Sequence, residues 1–221
     1  MLDIIEAETG PNPTATILVL HGLGADGNDF VPIAQELDLE QAGPVRFVFP
    51  HAPVMPVTIN GGYRMRAWYD ILGTEDAGVQ DEAGLRRSRE LVEALIAREK
   101  ALGIPAHRIV LAGFSQGCAM ALLTGLRHEE KLGGIVGMSG YLPLAEVTAA
   151  ERADANRDTP IFLAHGTHDH VIELRRAEKS RDFLQSLGYD VEWHEYLMAH
   201  SVCPQEIEEL NQWLLKVLSA A

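Results

Sequence analysis

An α/β fold with a mostly parallel central sheet, helices on both faces and no large lid domain is what this sequence predicts, on three observations. Short unbroken apolar runs recur along the chain, as they do in strands buried on both faces. They are Ala15-Thr-Ile-Leu-Val-Leu20, Val45-Arg-Phe-Val-Phe49, Arg108-Ile-Val-Leu-Ala112, Gly134-Ile-Val-Gly-Met138 and Ile161-Phe-Leu-Ala164. Helix-length segments separate them, the alternation expected of a parallel sheet. No linker rich in Pro, Gly or Ser and no internal repeat interrupts the pattern, so residues 1–221 read as one domain.

The acidic start, Met1 to Glu8, lacks the basic residues and apolar stretch of a signal peptide. After the first run comes the glycine-rich His21-Gly-Leu-Gly-Ala-Asp-Gly27, and after the second the longest irregular segment, Pro50 to Gly62. Its three prolines forbid a helix or a central strand, while Val54, Met55, Val57 and Ile59 are apolar enough to pack, either onto the core or as the wall of an apolar groove. From Gly84 to Leu102, Leu85, Leu91, Val92, Leu95, Ile96 and Leu102 share one side of a helix. Asp190 to Tyr196 alternates apolar and polar residues, as a late edge strand would, and Pro204 to Leu218 carries Ile207, Leu210, Trp213, Leu214 and Val217 at helical spacing.

Composition bounds the function. With 47% hydrophobic and 23% charged residues, 221 residues can bury a core without disulfides or metals, so Cys118 and Cys203 read as free thiols. A net charge of −14 repels phosphate backbones and anionic lipid, which argues against a nucleic-acid partner. No apolar run approaches the ~18 residues of a membrane span, so a cytoplasmic protein without stable membrane insertion is expected.

The chemistry concentrates where the strand Arg108 to Ala112 runs into Gly113-Phe-Ser-Gln-Gly117 and then a helix-compatible stretch, Cys118 to Thr124. Strand, G-x-S-x-G, helix is the arrangement in which a strained turn holds a serine hydroxyl exposed. That hydroxyl needs a base, and the base an orienting acid, in the chain order Ser, Asp or Glu, His. Asp169 follows the strand Ile161 to Ala164 within His165-Gly-Thr-His-Asp-His170, with Asp154 and Asp158 as weaker acids. Of nine histidines, with those next to the acid in sequence set aside, only His200, in Met198-Ala-His-Ser-Val-Cys203, lies after it in a loop following a strand. Ser115, Asp169 and His200 are the expected triad. The oxyanion needs backbone N–H donors; Gln116 supplies one at the helix start and Leu23, in the early glycine-rich loop, the other.

These residues resemble the acyl-protein thioesterase and carboxylesterase family, small serine esterases of the α/β-hydrolase fold. The resemblance spans nearly the whole chain through Leu20-His-Gly-Leu-Gly24, Phe49-Pro-His-Ala-Pro53, Arg66-Ala-Trp-Tyr-Asp70, Gly113-Phe-Ser-Gln-Gly-Cys-Ala-Met120, His165-Gly-Thr-His-Asp169 and His200-Ser-Val202. It implies the same five residues in the same roles, hydrolysis of esters or thioesters without a cofactor or metal, and an acyl chain near Leu23, Trp68 and the Pro50 to Gly62 segment, with Val54, Met55 and Val57 lining it. His170 stands where the family often has Pro, and Ala199 where it often has Gly.

The expected function is that of a serine carboxylesterase acting on short- to medium-chain esters through an acyl-enzyme on Ser115. The alternative is an acyl-protein (palmitoyl) thioesterase or lysophospholipase-like activity; remoter ones are a zinc hydrolase using His165, His168, Asp169 and His170, and a non-catalytic binding protein. Partners are a small-molecule ester or thioester, with an acylated protein as the further option, and both monomer and homodimer stay open. Trp68, Tyr69 and Asp70 read equally as pocket edge or aromatic packing, and Tyr141 to Leu144 as a second groove wall. Cys118 reads as a small packing residue under the site and Cys203 as a partly buried helix-start thiol.

Overall fold

A computed structural model of the protein describes residues 2–73 and 79–219. Met1 and residues 220–221, the ends of the expected 1–221 domain, lie outside the described residues. The strands are β1 (Ile4–Glu8), β2 (Ala15–Leu20), β3 (Val45–Pro50), β4 (Val54–Val57), β5 (Tyr63–Arg66), β6 (Ile109–Phe114), β7 (Gly134–Met138), β8 (Ile161–Gly166) and β9 (Val191–Tyr196). The helices are α1 (Val31–Glu36), α2 (Glu82–Ala101), α3 (Gln116–Gly125), α4 (Ala145–Glu151), α5 (Leu174–Ser186) and α6 (Pro204–Ser219). Seven strands form the main sheet in the order β1-β3-β2-β6-β7-β8-β9, parallel except for β1, as the α/β reading requires.

Each buried strand feeds two cores because its side chains alternate. In β2, Leu18 and Leu20 join the cluster of α2 and α3, with Leu85, Val92, Leu95, Ile96 and Leu122. Ile17 and Val19 point the other way, toward Phe30, Leu210, Trp213 and Leu214 beside α1 and α6. Continuous apolar runs therefore reflect helices on both faces. At the start of α2 the Asp81 side chain accepts the Gly84 N–H at 2.9 Å, a cap that contributes about 1 kcal/mol.

Three stretches differ from the sequence expectation. The segment Ile4 to Glu8, read only for its charge, is a strand paired antiparallel with β3; Glu8 pairs with Arg46 at 3.0 Å and Glu6 with Arg98 at 3.0 Å. Pro50 to Gly62 is not wholly irregular: it contains β4, which pairs with β5 just beyond it in a separate two-stranded sheet where Pro56 lies opposite Arg64. Proline is tolerated there because each of these strands has one partner only. Finally, β8 continues through His165 and Gly166, which pair with Glu195 and Tyr196, so His165 belongs to the strand rather than to the loop after it.

Candidate active site

Ser115 sits between β6 and α3 at φ 56°, ψ −116°, a left-handed conformation that costs a non-glycine residue on the order of 1–3 kcal/mol. The flanking glycines make it possible. A Cβ on Gly113 would lie 2.1 Å from the Gly117 carbonyl oxygen, and one on Gly117 would lie 1.9 Å from that of Leu20. The Ser115 N–H donates to Met138 O at 2.9 Å, which fixes the turn to the end of β7.

Asp169 and His200 reach each other because the pairing of β8 and β9 continues beyond the strands. Thr167 N–H donates to Tyr196 O at 2.8 Å and His168 N–H to Met198 O at 3.0 Å, so the two loops run side by side. His200 Nδ1 lies 2.6 Å from Asp169 Oδ2, while Asp169 Oδ1 accepts the Val171 and Ile172 N–H groups at 2.8 and 2.9 Å. The carboxylate is sealed from solvent and the imidazole is 17% exposed. The His200 ring packs on Phe114, the residue before Ser115, with centroids 4.8 Å apart. All three expected triad residues thus stand at the carboxyl ends of parallel strands, where open α/β sheets bind ligands. Asp154 and Asp158 are exposed and pair instead with Arg157 and Lys131, each at 2.7 Å or less.

The loop after β2 packs against the serine turn because β2 and β6 are sheet neighbours. A Cβ on Gly22 would lie 3.3 Å from Ser115 Cβ. Leu23 is half-buried, and its N–H enters no hydrogen bond among the described residues. Gln116 is buried; its Oε1 accepts the Trp68 N–H at 2.8 Å and its Nε2 donates to Tyr69 O at 2.7 Å. Its own backbone N–H therefore belongs to a residue held at both ends of its side chain.

The expected substrate residues divide by exposure. Val54 is 49% exposed and Met55 half-buried, whereas Val57 and Trp68 are 0% and 1% exposed. Of the four, only Val54 and Met55 therefore present side-chain surface to solvent. Trp68 is a tie beneath, its Nε1–H donating to His21 O at 2.8 Å. Tyr69 is also buried, its hydroxyl 2.8 Å from that of the half-buried Tyr141; burial first, then the neighbouring phenol, raises its pKa well above the usual range. Burial pushes the Cys118 thiol up to about 12, which suits a packing residue, and Cys203 is half-buried. Asp70 accepts the Thr58 N–H at 2.7 Å and braces the hairpin.

Two residues assigned no part in the serine chemistry from the sequence border this site. His165 is buried, with Nε2 2.8 Å from Ile172 O and 3.3 Å from Asp169 Oδ2. His21 is buried between the loop after β2 and Ala52. Burial lowers the pKa of both rings and keeps them neutral. Beyond their places in the family motifs, the sequence signal is the i, i+4 spacing to Asp169 for His165 and adjacency to Gly22 for His21. The proposed zinc set does not converge: His168 and His170 are exposed, and no three His, Cys, Asp or Glu side chains are arranged to hold a metal among the described residues.

Comparison with known proteins identifies the family. The phospholipase/carboxylesterase family model matches residues 3–218. Acyl-protein thioesterase 1 of Yarrowia lipolytica is 44% identical over 206 residues, 91% of each chain, and that of Mycosarcoma maydis is 40% identical over 98% of this chain and 97% of its own. Among solved structures, Arabidopsis thaliana SOBER1 superposes with a TM-score of 0.87 at 29% identity, covering 92% of this chain and 99% of that one. Zea mays acyl-protein thioesterase 2 gives 0.83 at 28% identity, covering 97% and 99%. A serine on a strained strand-to-helix turn and an Asp–His pair at neighbouring strand ends, in a chain with such relatives, make it a serine hydrolase of the phospholipase/carboxylesterase family, on the α/β-hydrolase fold.

Proposed function

We propose that this enzyme is a thioesterase that removes fatty acyl groups from protein cysteines, with simple carboxylic esters as lesser substrates. The observation that carries the reading is the similarity, at 40–44% identity over more than nine-tenths of the chain, to proteins named acyl-protein thioesterase 1. Among the expectations from sequence, this is the alternative rather than the short-chain carboxylesterase.

In the mechanism, Ser115 Oγ attacks the thioester carbonyl carbon as His200 Nε2 takes the hydroxyl proton. The N–H groups of Leu23 and Gln116 receive the oxyanion, each worth ~3 to 4 kcal/mol in such sites. Collapse breaks the C–S bond, and His200 returns its proton to the departing sulfur. Water then attacks the acyl-enzyme in the same way and releases the carboxylic acid. Asp169 accepts the Nδ1–H of His200 and so leaves Nε2 to face the serine; the 2.6 Å contact supports that role. Val54 and Met55 receive the acyl chain at the hairpin. The reading requires no cofactor and takes residues 1–221 as one domain, in support of which β1 and α6, from opposite ends of the chain, complete the same sheet and core. Two free thiols suit a reducing, cytoplasmic compartment.

The test is kcat/KM on a matched pair of peptides carrying the same acyl chain on cysteine sulfur and on serine oxygen, with Ser115→Ala as control. Preference for the thioester, lost in Ser115→Ala, is expected. Preference for the oxygen ester would restore the carboxylesterase reading, and turnover surviving Ser115→Ala would remove the serine mechanism altogether.

A further inference from the structure

His21 has a role in no step above, yet its ring contacts the peptide on which the oxyanion site depends. It follows β2 directly and is 1% exposed. The Ala52 N–H donates to His21 Nε2 at 3.0 Å, so that nitrogen is an acceptor and carries no proton. In a neutral imidazole the proton is then on Nδ1, which lies 2.7 Å from the Gly22 carbonyl oxygen and donates to it.

The Gly22 carbonyl belongs to the same peptide unit as the Leu23 N–H. A trans peptide is planar, with its N–H pointing opposite to its C=O, so fixing one fixes the other. Rotation of this unit would replace the donor by a carbonyl oxygen and repel the developing negative charge. The next unit is held independently, by the Gly24 N–H donating to Arg66 O at 2.9 Å, and the preceding one by the Trp68 Nε1–H on His21 O. Of the three units only Gly22–Leu23 is held by an imidazole; its carbonyl also accepts the Ala25 N–H, at a longer 3.4 Å.

We infer that His21 is a positioning residue for the oxyanion site: its Nδ1–H holds the Gly22 carbonyl and thereby aims the Leu23 N–H, while its Nε2 anchors the ring to Ala52. The inference rests on the reading of Leu23 as a donor. It assigns separate tasks to the two ring nitrogens, and the two carboxamide side chains separate them experimentally. Asparagine places an amide near the position of Nδ1, and glutamine places one near that of Nε2.

The experiment compares His21→Asn, His21→Gln and His21→Phe with wild type, measuring kcat and KM on a 4-nitrophenyl ester together with the thermal midpoint. Loss of one oxyanion donor typically costs about 10²–10³ in kcat, so His21→Phe should lose about 100-fold in kcat with KM little changed. His21→Asn should recover at least tenfold of that, and His21→Gln should recover thermal stability but not kcat. Equal kcat in all three variants, kcat that simply follows the thermal midpoint, or a rise in KM at constant kcat would overturn the inference. A second measurement needs no variant to be active: the long-range ¹H–¹⁵N spectrum of wild-type histidines should show His21 protonated at Nδ1, and protonation at Nε2 would overturn the proposal directly. Wild-type ester turnover that Ser115→Ala leaves intact would sink the mechanism itself, whereas Ser115-dependent turnover with Asn no better than Gln would sink only the role of His21.

Discussion

Replacing Glu206 by glutamine should stabilise the enzyme by an amount that grows with pH. Glu206 is in the first turn of α6, 0% exposed, and burial pushes its carboxyl up to about 8 from an ordinary 4.5. The Cys203 backbone N–H favours the charged form and Glu209 opposes it, but desolvation is the largest cause. Tyr196 does not relieve it, because its hydroxyl donates to Glu209 at 2.5 Å, and His194 Nδ1 also faces Glu209 at 2.8 Å. Between pH 4.5 and about 8 the native state keeps a proton that the unfolded chain gives up. Its stability therefore falls as pH rises through that window, by about 1.4 kcal/mol per pH unit, and levels off above the folded pKa. Glutamine does not titrate. Whatever constant offset its amide introduces, the stability gap between Glu206→Gln and wild type should widen by about 3 kcal/mol from pH 5 to pH 8, or roughly 10 °C in thermal midpoint for a chain of this size. Urea unfolding of both proteins at several pH values measures the gap, in which titrations common to both cancel. A gap that stays constant with pH would refute the claim that Glu206 is protonated in the fold.

Four further outcomes are expected. Asp169→Asn should remain folded but lose about 10⁴ in kcat, because the amide no longer selects the productive tautomer of His200; a loss under tenfold on the thioester would show that the contact does not orient the base. Gly117→Ala puts a Cβ 1.9 Å from the Leu20 carbonyl oxygen, a backbone atom that cannot swing aside, so soluble yield or labelling of Ser115 by a fluorophosphonate should collapse; full labelling would disprove the close approach. Glu99→Gln leaves Arg46, 14% exposed and 3.0 Å from that carboxylate, without its buried counter-charge, at a cost of about 3 kcal/mol in urea unfolding, and an effect below ~1 kcal/mol would count against the pair. His165 has its pKa lowered from 6.5 by burial, so the unfolded chain binds the extra proton and stability is lost as pH falls below about 6.5. Replacing it with glutamine should flatten that acid limb by up to about 1.4 kcal/mol per pH unit, and unchanged slopes would mean that the ring is already charged in the fold.

How much of this was legible in the sequence depended on whether the signal was local. Five apolar runs announced the parallel strands because helices cover both faces, and Gly113 to Gly117 announced the serine turn because sterics within a few residues demand glycine there. Asp169 and His200 were legible from chain order and position after strands. The strand β1 was not, since Glu6 and Glu8 read as an acidic tail until Arg46 and Arg98 stand opposite them. The hairpin of β4 and β5 was hidden for a related reason: Pro56 argues against a strand until it is known to have a single partner. Trp68, placed near the acyl chain by resemblance, and Val57, in a segment left open between core and groove, are both buried; hydrophobicity does not distinguish a side chain facing a ligand from one beneath it.

The same distinction explains why the supporting residues of the site escaped a reading of the catalytic ones. A nucleophile, a base and an acid are recognisable by type, because few side chains can do their chemistry. A residue that aims a backbone N–H is recognisable only by what it touches, and its partners come from distant parts of the chain: Ala52 and Gly22 for His21, Trp68 and Tyr69 for Gln116. The segment Arg66 to Tyr69 connects the two systems. It bonds Gly24 through Arg66 O, the His21 carbonyl through Trp68, and Gln116 through the Trp68 N–H and the Tyr69 carbonyl. The loop that carries Leu23 and the side chain of Gln116 are therefore both tied to one short piece of backbone at the end of the hairpin. Shifting it, through Trp68 or through the Ser88 hydroxyl that donates to the Trp68 carbonyl, should lower kcat while leaving the contact between Asp169 and His200 untouched.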